Sequence, residues 1–440
     1  MKKNTFSTKL IIIWMIIAFP LSSHGQFLSE LTYVTIFPDT NVFIYLIRNV
    51  KPNISVGCTY ASGGFKLLKI DHTNFSLGST AAMPTSAVAL SSFFWRIEDL
   101  RVCDDDIFFC GRSKNGLGFI GYLNINDYSN SYITVSYKEI RNTTNLFHLT
   151  AYKNSYGQTN VVAVGAIDTN NLNYKIVEVK DILGTDTTSI RDVSNEALFE
   201  VFYTNNQVVT IGYARAYNAL CIRLANPDDV TDPLFNTRHL FSSVDDHILS
   251  TTRSAVLGDE LAVSFLDYDN NLSEFVTRIR FFDLTTMTMV NAQQLQLKEK
   301  TAPYELTYIP DSGKLVVLEE FEFPFGHGVS QGNFITLDPI QNNLYLGKVR
   351  YHRGVRFESL DNFNDKYFIS AGNGAIYLQN DSAPATSICP TTDRIKIYPV
   401  PTYDEFININ VNPWNPLPNT FIPDPLPKRF FNNSHNCHHQ

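Results

Sequence analysis

Asn53-Ile54-Ser55-Val56-Gly57-Cys58 is a short apolar strand that runs into a glycine, and its pattern returns six more times along the chain. It reappears as Ile107-Phe108-Phe109-Cys110-Gly111, as Val161-Val162-Ala163-Val164-Gly165 and as Val208-Val209-Thr210-Ile211-Gly212. The glycine then drops out while the apolar run persists, in residues 261–265, 315–319 and 367–371. With positions 57, 111, 165, 212, 265, 319 and 371 taken as equivalent, the steps are 54, 54, 47, 53, 54 and 52 residues. So steady a period, in a chain rich in β-branched and aromatic residues, marks small sheets repeated radially. It predicts an all-β fold, a seven-bladed β-propeller of four-stranded antiparallel blades.

The sixth repeat parses most cleanly. Residues 304–309 alternate apolar and polar, Pro310-Asp311-Ser312-Gly313 is a hairpin turn, and 314–321 is a second strand. A loop holding Gly326, Gly328 and Gly332 leads to a third strand at 333–338, and 344–349 makes a fourth. The second strand is the most apolar of each repeat, as expected of a strand buried on both faces between neighbours. First strands are predicted at 41–47, 95–102, 146–152, 197–203, 249–257 and 304–309, with a longer central hairpin at 267–277 in the fifth repeat. The seventh repeat is one strand short, whereas residues 27–36 alternate as a strand ahead of the first repeat. The N-terminal strand is therefore expected to complete the seventh blade and close the ring.

Apolar residues at 44 % argue for a folded chain rather than a disordered one. A net charge of −8 with no basic stripe makes nucleic acid an unsuitable partner. Residues 1–25 read as a signal peptide: Lys2, Lys3 and Lys9 begin it, 10–21 is its apolar run, and Ser23-His24-Gly25 precedes the cut. That run is too short to span a bilayer, and no second one follows, so no membrane span is expected after cleavage. Six cysteines follow the leader: Cys58, Cys103, Cys110, Cys221, Cys389 and Cys437. A three-residue turn at Asp104-Asp105-Asp106 would set Cys103 opposite Ile107 and Cys110 opposite Leu100, on different rungs, so free buried thiols are expected.

The domain reading is a signal peptide at 1–25, the propeller at 26–380, a linker at 381–393, and a short β segment with a proline-rich tail at 394–440. In that tail, Ile397-Tyr398-Pro399-Val400-Pro401-Thr402, Asp404 and the alternating residues 406–411 resemble the opening of the C-terminal sorting domains of the type IX secretion system of Bacteroidetes. Those domains begin with Tyr-Pro-Asn-Pro; here Val400 stands at the asparagine and the final strands are missing, so the match is partial and degenerate. The resemblance implies a secreted Bacteroidetes-type protein, extracellular or on the outer-membrane surface, with the periplasm as the alternative.

Candidate binding residues recur near the start of each first strand. Glu98, Glu200, Glu305 and Glu358 occupy that position in four repeats, and His148 and Arg253 in two others. A ring of carboxylates at one channel mouth can hold a cation such as calcium, or present paired acids to a sugar or basic peptide. Channel-lining positions are also simply wet, and charged residues sit there with no ligand. Asp267-Tyr268-Asp269-Asn270-Asn271 begins like a calcium loop, but Leu272 replaces the required glycine and Arg278 the bidentate glutamate, so no metal site is assigned. His435, Cys437, His438 and His439 have metal-ligand chemistry without a scaffold to hold them. No Gly-x-Ser-x-Gly elbow and no phosphate-binding glycine loop is present. The function expected is a secreted or surface-associated binding scaffold for protein or glycan partners, without a predicted cofactor. The alternative is a polysaccharide hydrolase or lyase using Glu200 and Glu305 as acid and base.

Overall fold

The computed structural model describes residues 31–35, 43–61, 64–72, 85–89, 94–126, 135–166, 174–193, 195–217, 219–232, 236–242, 253–269, 274–297, 302–320, 333–337, 346–350, 357–372 and 375–380. Its strands fall into seven four-stranded antiparallel sheets, each built from strands consecutive in the chain except the last. After β1 (Leu31–Thr35), the first sheet holds β2 (Phe43–Lys51), β3 (Ile54–Ala61), β4 (Gly64–Asp71) and β5 (Thr85–Ala89). The second holds β6 (Phe94–Cys103), β7 (Asp106–Ser113), β8 (Gly118–Asn124) and β9 (Ser136–Ile140). The third holds β10 (Asn145–Lys153), β11 (Thr159–Ala166), β12 (Tyr174–Lys180) and β13 (Thr187–Val193). The fourth holds β14 (Glu196–Thr204), β15 (Gln207–Ala214), β16 (Ala219–Ala225) and β17 (Asn236–Ser242). The fifth holds β18 (Arg253–Leu257), β19 (Glu260–Asp269), β20 (Glu274–Asp283) and β21 (Thr288–Leu297). The sixth holds β22 (Ala302–Ile309), β23 (Lys314–Glu320), β24 (Asn333–Leu337) and β25 (Leu346–Arg350). The seventh runs β26 (Phe357–Phe363), β27 (Tyr367–Gly372), β28 (Ala375–Asn380) and then β1, which pairs with β28 from Leu31 opposite Gln379 to Thr35 opposite Ala375. The N-terminal strand, as expected, completes the seventh sheet by backbone pairing.

The architecture is an all-β propeller of four-stranded antiparallel blades, and side-chain alternation explains it. In β7, Ile107 and Phe109 face the first sheet, packing with Leu46, Val56 and Leu67, while Phe108 and Cys110 face the third, packing with Leu149, Val161 and Val177. Strand β11 repeats the pattern, with Val161 and Ala163 on one face and Val162 and Val164 on the other, and every one of its residues is buried. The outermost β13 is mostly half-buried or exposed. Second strands are continuous apolar runs because both faces meet a neighbouring sheet. Among the described residues, five such apolar layers join consecutive sheets from the first to the sixth. Each large side chain fully removed from water contributes roughly 1.5–3 kcal/mol, so these layers are the main cohesive element between sheets.

Two-residue hairpins supply the tight corners. Asn205 and Asn206 both have positive φ, 49° and 56°, between Thr204 and its partner Gln207, the backbone that favours asparagine at both turn positions. At the second sheet the turn is one residue shorter than its acidic run suggests. Asp106 already belongs to β7 and pairs with Cys103, and Cys110 pairs with Asp99 rather than Leu100. The two thiols still lie on different rungs, and Cys58, Cys103, Cys110 and Cys221 are all free. Cys389, Cys437 and the histidines near them lie outside the described residues.

Candidate functional site

The first strands β2, β6, β10, β14, β18, β22 and β26 touch one another in sequence order, and β26 touches β2. They are the inner strands, each with one edge turned to the channel. An edge strand leaves N–H groups unpaired, and here polar side chains from the preceding sheet satisfy them. Asp99 Oδ2 accepts the Leu149 N–H (3.1 Å), Ser359 Oγ accepts that of Ile47 (3.0 Å), and Asp361 Oδ2 accepts that of Asn49 (2.7 Å). Glu305 Oε2 accepts the Leu360 N–H, and Glu200 Oε2 accepts the Ser254 hydroxyl. The amide bond to a neighbour's side chain recurs across the boundaries between the second and third, sixth and seventh, and seventh and first sheets, and Glu200 adds a side-chain bond between the fourth and fifth.

A β-bulge places these acceptors. In β6, β10, β14, β22 and β26, one residue drops out of register, and the residue after it turns toward the neighbouring sheet. The residues so turned are Asp99, His148, Glu200, Glu305 and Ser359. His148, Glu200 and Glu305 thus lie on inner strands with their side chains turned to an adjoining sheet. Glu98 is instead the bulged residue itself, bonded to Arg96 Nε (3.0 Å) and Asn145 Nδ2 (2.9 Å), and its neighbour Asp99 takes the acceptor position. Glu358 is likewise the bulged residue, with Ser359 in the acceptor role; the Glu358 side chain lies outside the described residues. Arg253 opens β18 opposite Ser264, whose hydroxyl donates to the Arg253 carbonyl.

Buried arginines tie the acceptors together. Arg48 donates through NH1 to Ser359 Oγ (2.9 Å) and through NH2 to Glu305 Oε1 (2.8 Å) and Asp99 Oδ1 (3.4 Å), joining the first, second, sixth and seventh sheets. Arg101 Nε meets Asp99 Oδ2 at 3.2 Å, and its NH2 lies 2.6 Å from His148 Nε2. A guanidinium has no acceptor, so Nε2 must accept and the imidazole proton sits on Nδ1, 3.4 Å from Asp99 Oδ2. With the proton on Nδ1, the Val201 N–H 3.3 Å away faces another donor; protonating Nε2 instead would set donor against donor at the closer Arg101 contact.

Electrostatics follow from this packing. Burial brings the His148 imidazole down to about 3, with Arg101 adding to the effect and Asp99 opposing it. Burial also works against the Asp99 charge, but Arg101, His148 and Arg48 outweigh it and hold the carboxyl below its usual range. Burial pushes the Glu200 carboxyl up to about 7 against the pull of Arg253 and Ser254, and it raises Asp361 against the pull of Arg48. Asp99 and Glu200 thus titrate far apart, as an acid–base pair must. They are, however, 1 % and 4 % exposed, and each is bonded to an adjoining sheet. The alternative catalytic pair is similarly committed, Glu200 to Ser254 and Glu305 to Arg48 and Leu360. The arrangement clamps sheet to sheet.

Sequence reasoning missed Asp99, Arg48, Arg101, Ser359 and Asp361. Adjacent acids at Glu98-Asp99 and serine at Ser359 were visible, but the bulge that selects between neighbours leaves no mark in composition. Among the described residues no group of three or more metal-ligating side chains comes together. The side chains of residues 267–269 lie outside the described set, as do residues 270–273. Among the described residues no helix is long and apolar enough to cross a membrane.

No family model and no curated protein sequence matches the chain. Among solved structures, it is similar to the WD40 β-propeller domain of Doa1, with a TM-score of 0.49 and 11 % identity over 80 % of this chain and 98 % of that one. The Dos1 propeller gives a TM-score of 0.49 at 9 % identity, covering 82 % of this chain and 98 % of that one. YCF48 from Cyanidioschyzon merolae gives 0.48 at 10 %, covering 80 % and 98 %. The propeller architecture is carried by the chain's own strand pairing.

Proposed function

We propose that the protein is a binding scaffold: a closed ring of seven blades that offers its loops and channel mouth to protein or glycan partners. The observation that carries this reading is the commitment of the channel's acids to neighbouring blades, which leaves them as structure and moves recognition to the rims. Support for a closed seven-bladed ring comes from the β26–β2 contact and from Arg48, whose bonds reach both ends of the chain of sheets. Export through the 1–25 leader and delivery to a bacterial surface through the tail at 394–440 complete the proposal; both segments lie outside the described residues.

A glycan array and a pull-down from bacterial surface extracts, run on the full chain with and without calcium, test it. Saturable binding without release of cleavage products is the expected result. Polysaccharide turnover that disappears in Glu200→Gln while the fold persists would replace the scaffold with the hydrolase or lyase reading.

A further inference from the structure

The inner strand β6 departs from its counterparts at the channel mouth. Strands β10, β14, β22 and β26 each carry one bulge and β2 has a second near its end, whereas β6 carries its second at its start, where Trp95 and Arg96 together stand opposite Arg112. The extra residue turns Trp95 to solvent, 66 % exposed. Its neighbour Phe94 is buried, stacked on Phe119 (centroids 4.3 Å apart) and edge-on to Tyr137 (5.4 Å) and Phe109 (5.7 Å). An aromatic presented beside so firm an anchor is held out rather than left loose. Bulges that re-aim a side chain cluster at working sites.

The surroundings of that ring are charged. Arg96 and Arg112 are exposed and directly opposed, a like-charge pair that weakens a sheet unless an anion lies between them. Lys114 is exposed two residues further on. Glu98 offsets part of Arg96 and is itself held by Asn145.

We propose that Trp95, Arg96 and Arg112 form a recognition surface for an acidic sugar residue of a polysaccharide, resting on the binding-scaffold reading above. Tryptophan and arginine are also enriched at protein interfaces, but the core of such an interface is apolar and depleted of charge, whereas the exposed residues beside Trp95 on these two strands, Arg96, Arg112 and Lys114, are cationic. A pyranose fits that pattern. Its C–H face lies on the electron-rich indole face, and a carboxylate or sulfate at its edge meets the guanidinium pair, which favours such groups through its planar donor fork.

The test is calorimetry and intrinsic fluorescence on the full chain, using tetragalacturonate and a heparin tetrasaccharide to separate carboxylate from sulfate. Maltotetraose serves as the neutral control and hexaglutamate as the acidic-peptide control. At least one anionic sugar should bind saturably, perturb tryptophan emission, weaken with added salt, and bind at least tenfold more weakly to Trp95→Ala and Arg112→Ala. Arg112 is exposed, so Arg112→Ala keeps the test decisive should Trp95→Ala disturb the sheet. Undiminished binding in both variants, binding of hexaglutamate alone, or no binding of either anionic sugar overturns the proposal. If the array or pull-down still finds a partner in those cases, the scaffold reading stands and only this surface is wrong; if they find none, both fall.

Discussion

Glu200 and His148 are buried on adjoining inner strands with shifts of opposite consequence. The Glu200 carboxyl, near 7 when folded against roughly 4.3 when unfolded, holds its proton more tightly in the fold. Its contribution to stability is full below about 4.3 and is lost as pH rises through 7. His148, near 3 when folded against about 6.5 unfolded, contributes above about 6.5 and loses that as pH falls toward 3. Between these limits the two slopes oppose each other. Glu200→Gln should therefore steepen the loss of melting temperature on acidification from pH 6.5 to 5, and His148→Gln should steepen the loss from pH 5 to 8, each by a few degrees in calorimetry. Parallel pH profiles for wild type and both variants would contradict the assignment. At this scale the sequence was legible in part: a polar position ahead of each marker was visible, and His148, Glu200 and Glu305 occupy it. Asp99 was hidden behind Glu98 because one bulged residue exchanges which of two neighbouring acids faces the channel.

The bulge itself is an element-scale feature, and it accounts for the recurrent glycine. A Cβ added at Gly111 would run into the Arg96 carbonyl oxygen, one at Gly165 into that of Asn145, and one at Gly212 into that of Ala197. Glycine is needed at these three positions because there the second strand passes close under the bulging first strand. Gly57 is not such a site: an added Cβ there meets the Ile44 side chain at 3.2 Å, and Thr59 takes the equivalent register position. In the seventh sheet that position is Gly372 rather than Ala371. Alanine at 111, 165 or 212 should cost more than ~2 kcal/mol in urea unfolding, and alanine at 57 about 1 kcal/mol or less; equal effects at all four would sink the explanation. The inter-sheet bonds make a companion prediction. Asp99→Ala strands the Leu149 N–H and leaves Arg101 and Arg48 short of a buried counter-charge, which is expected to cost about 3–5 kcal/mol. Asp99→Asn keeps an acceptor for the amide and should cost distinctly less. Strand identities were readable from alternation and turn residues, but register was not, since the period of two looks the same on either side of a bulge.

At the scale of the whole molecule, the period near fifty residues was sufficient to anticipate four-stranded sheets and a surplus N-terminal strand. Both follow from apolar periodicity, which burial enforces. The arginine links were beyond reach because Arg48 and Glu305 are far apart in the chain and only tertiary packing brings them to 2.8 Å. Deleting residues 31–35 should expose the β28 edge, lower the melting temperature by several degrees and promote self-association seen in light scattering; an unchanged melting temperature would show that β1 is dispensable. The inner acids hold neighbouring sheets together, and Glu305 is the sharpest probe of that role because it bonds Arg48 of the first sheet and the Leu360 N–H of the seventh. Urea unfolding of Glu305→Ala beside wild type, with binding of any array or pull-down partner measured on the folded fraction, is the measurement to make. The expected result is a loss of about 3–5 kcal/mol with partner binding retained. Undiminished stability, with only polysaccharide turnover abolished, would contradict it.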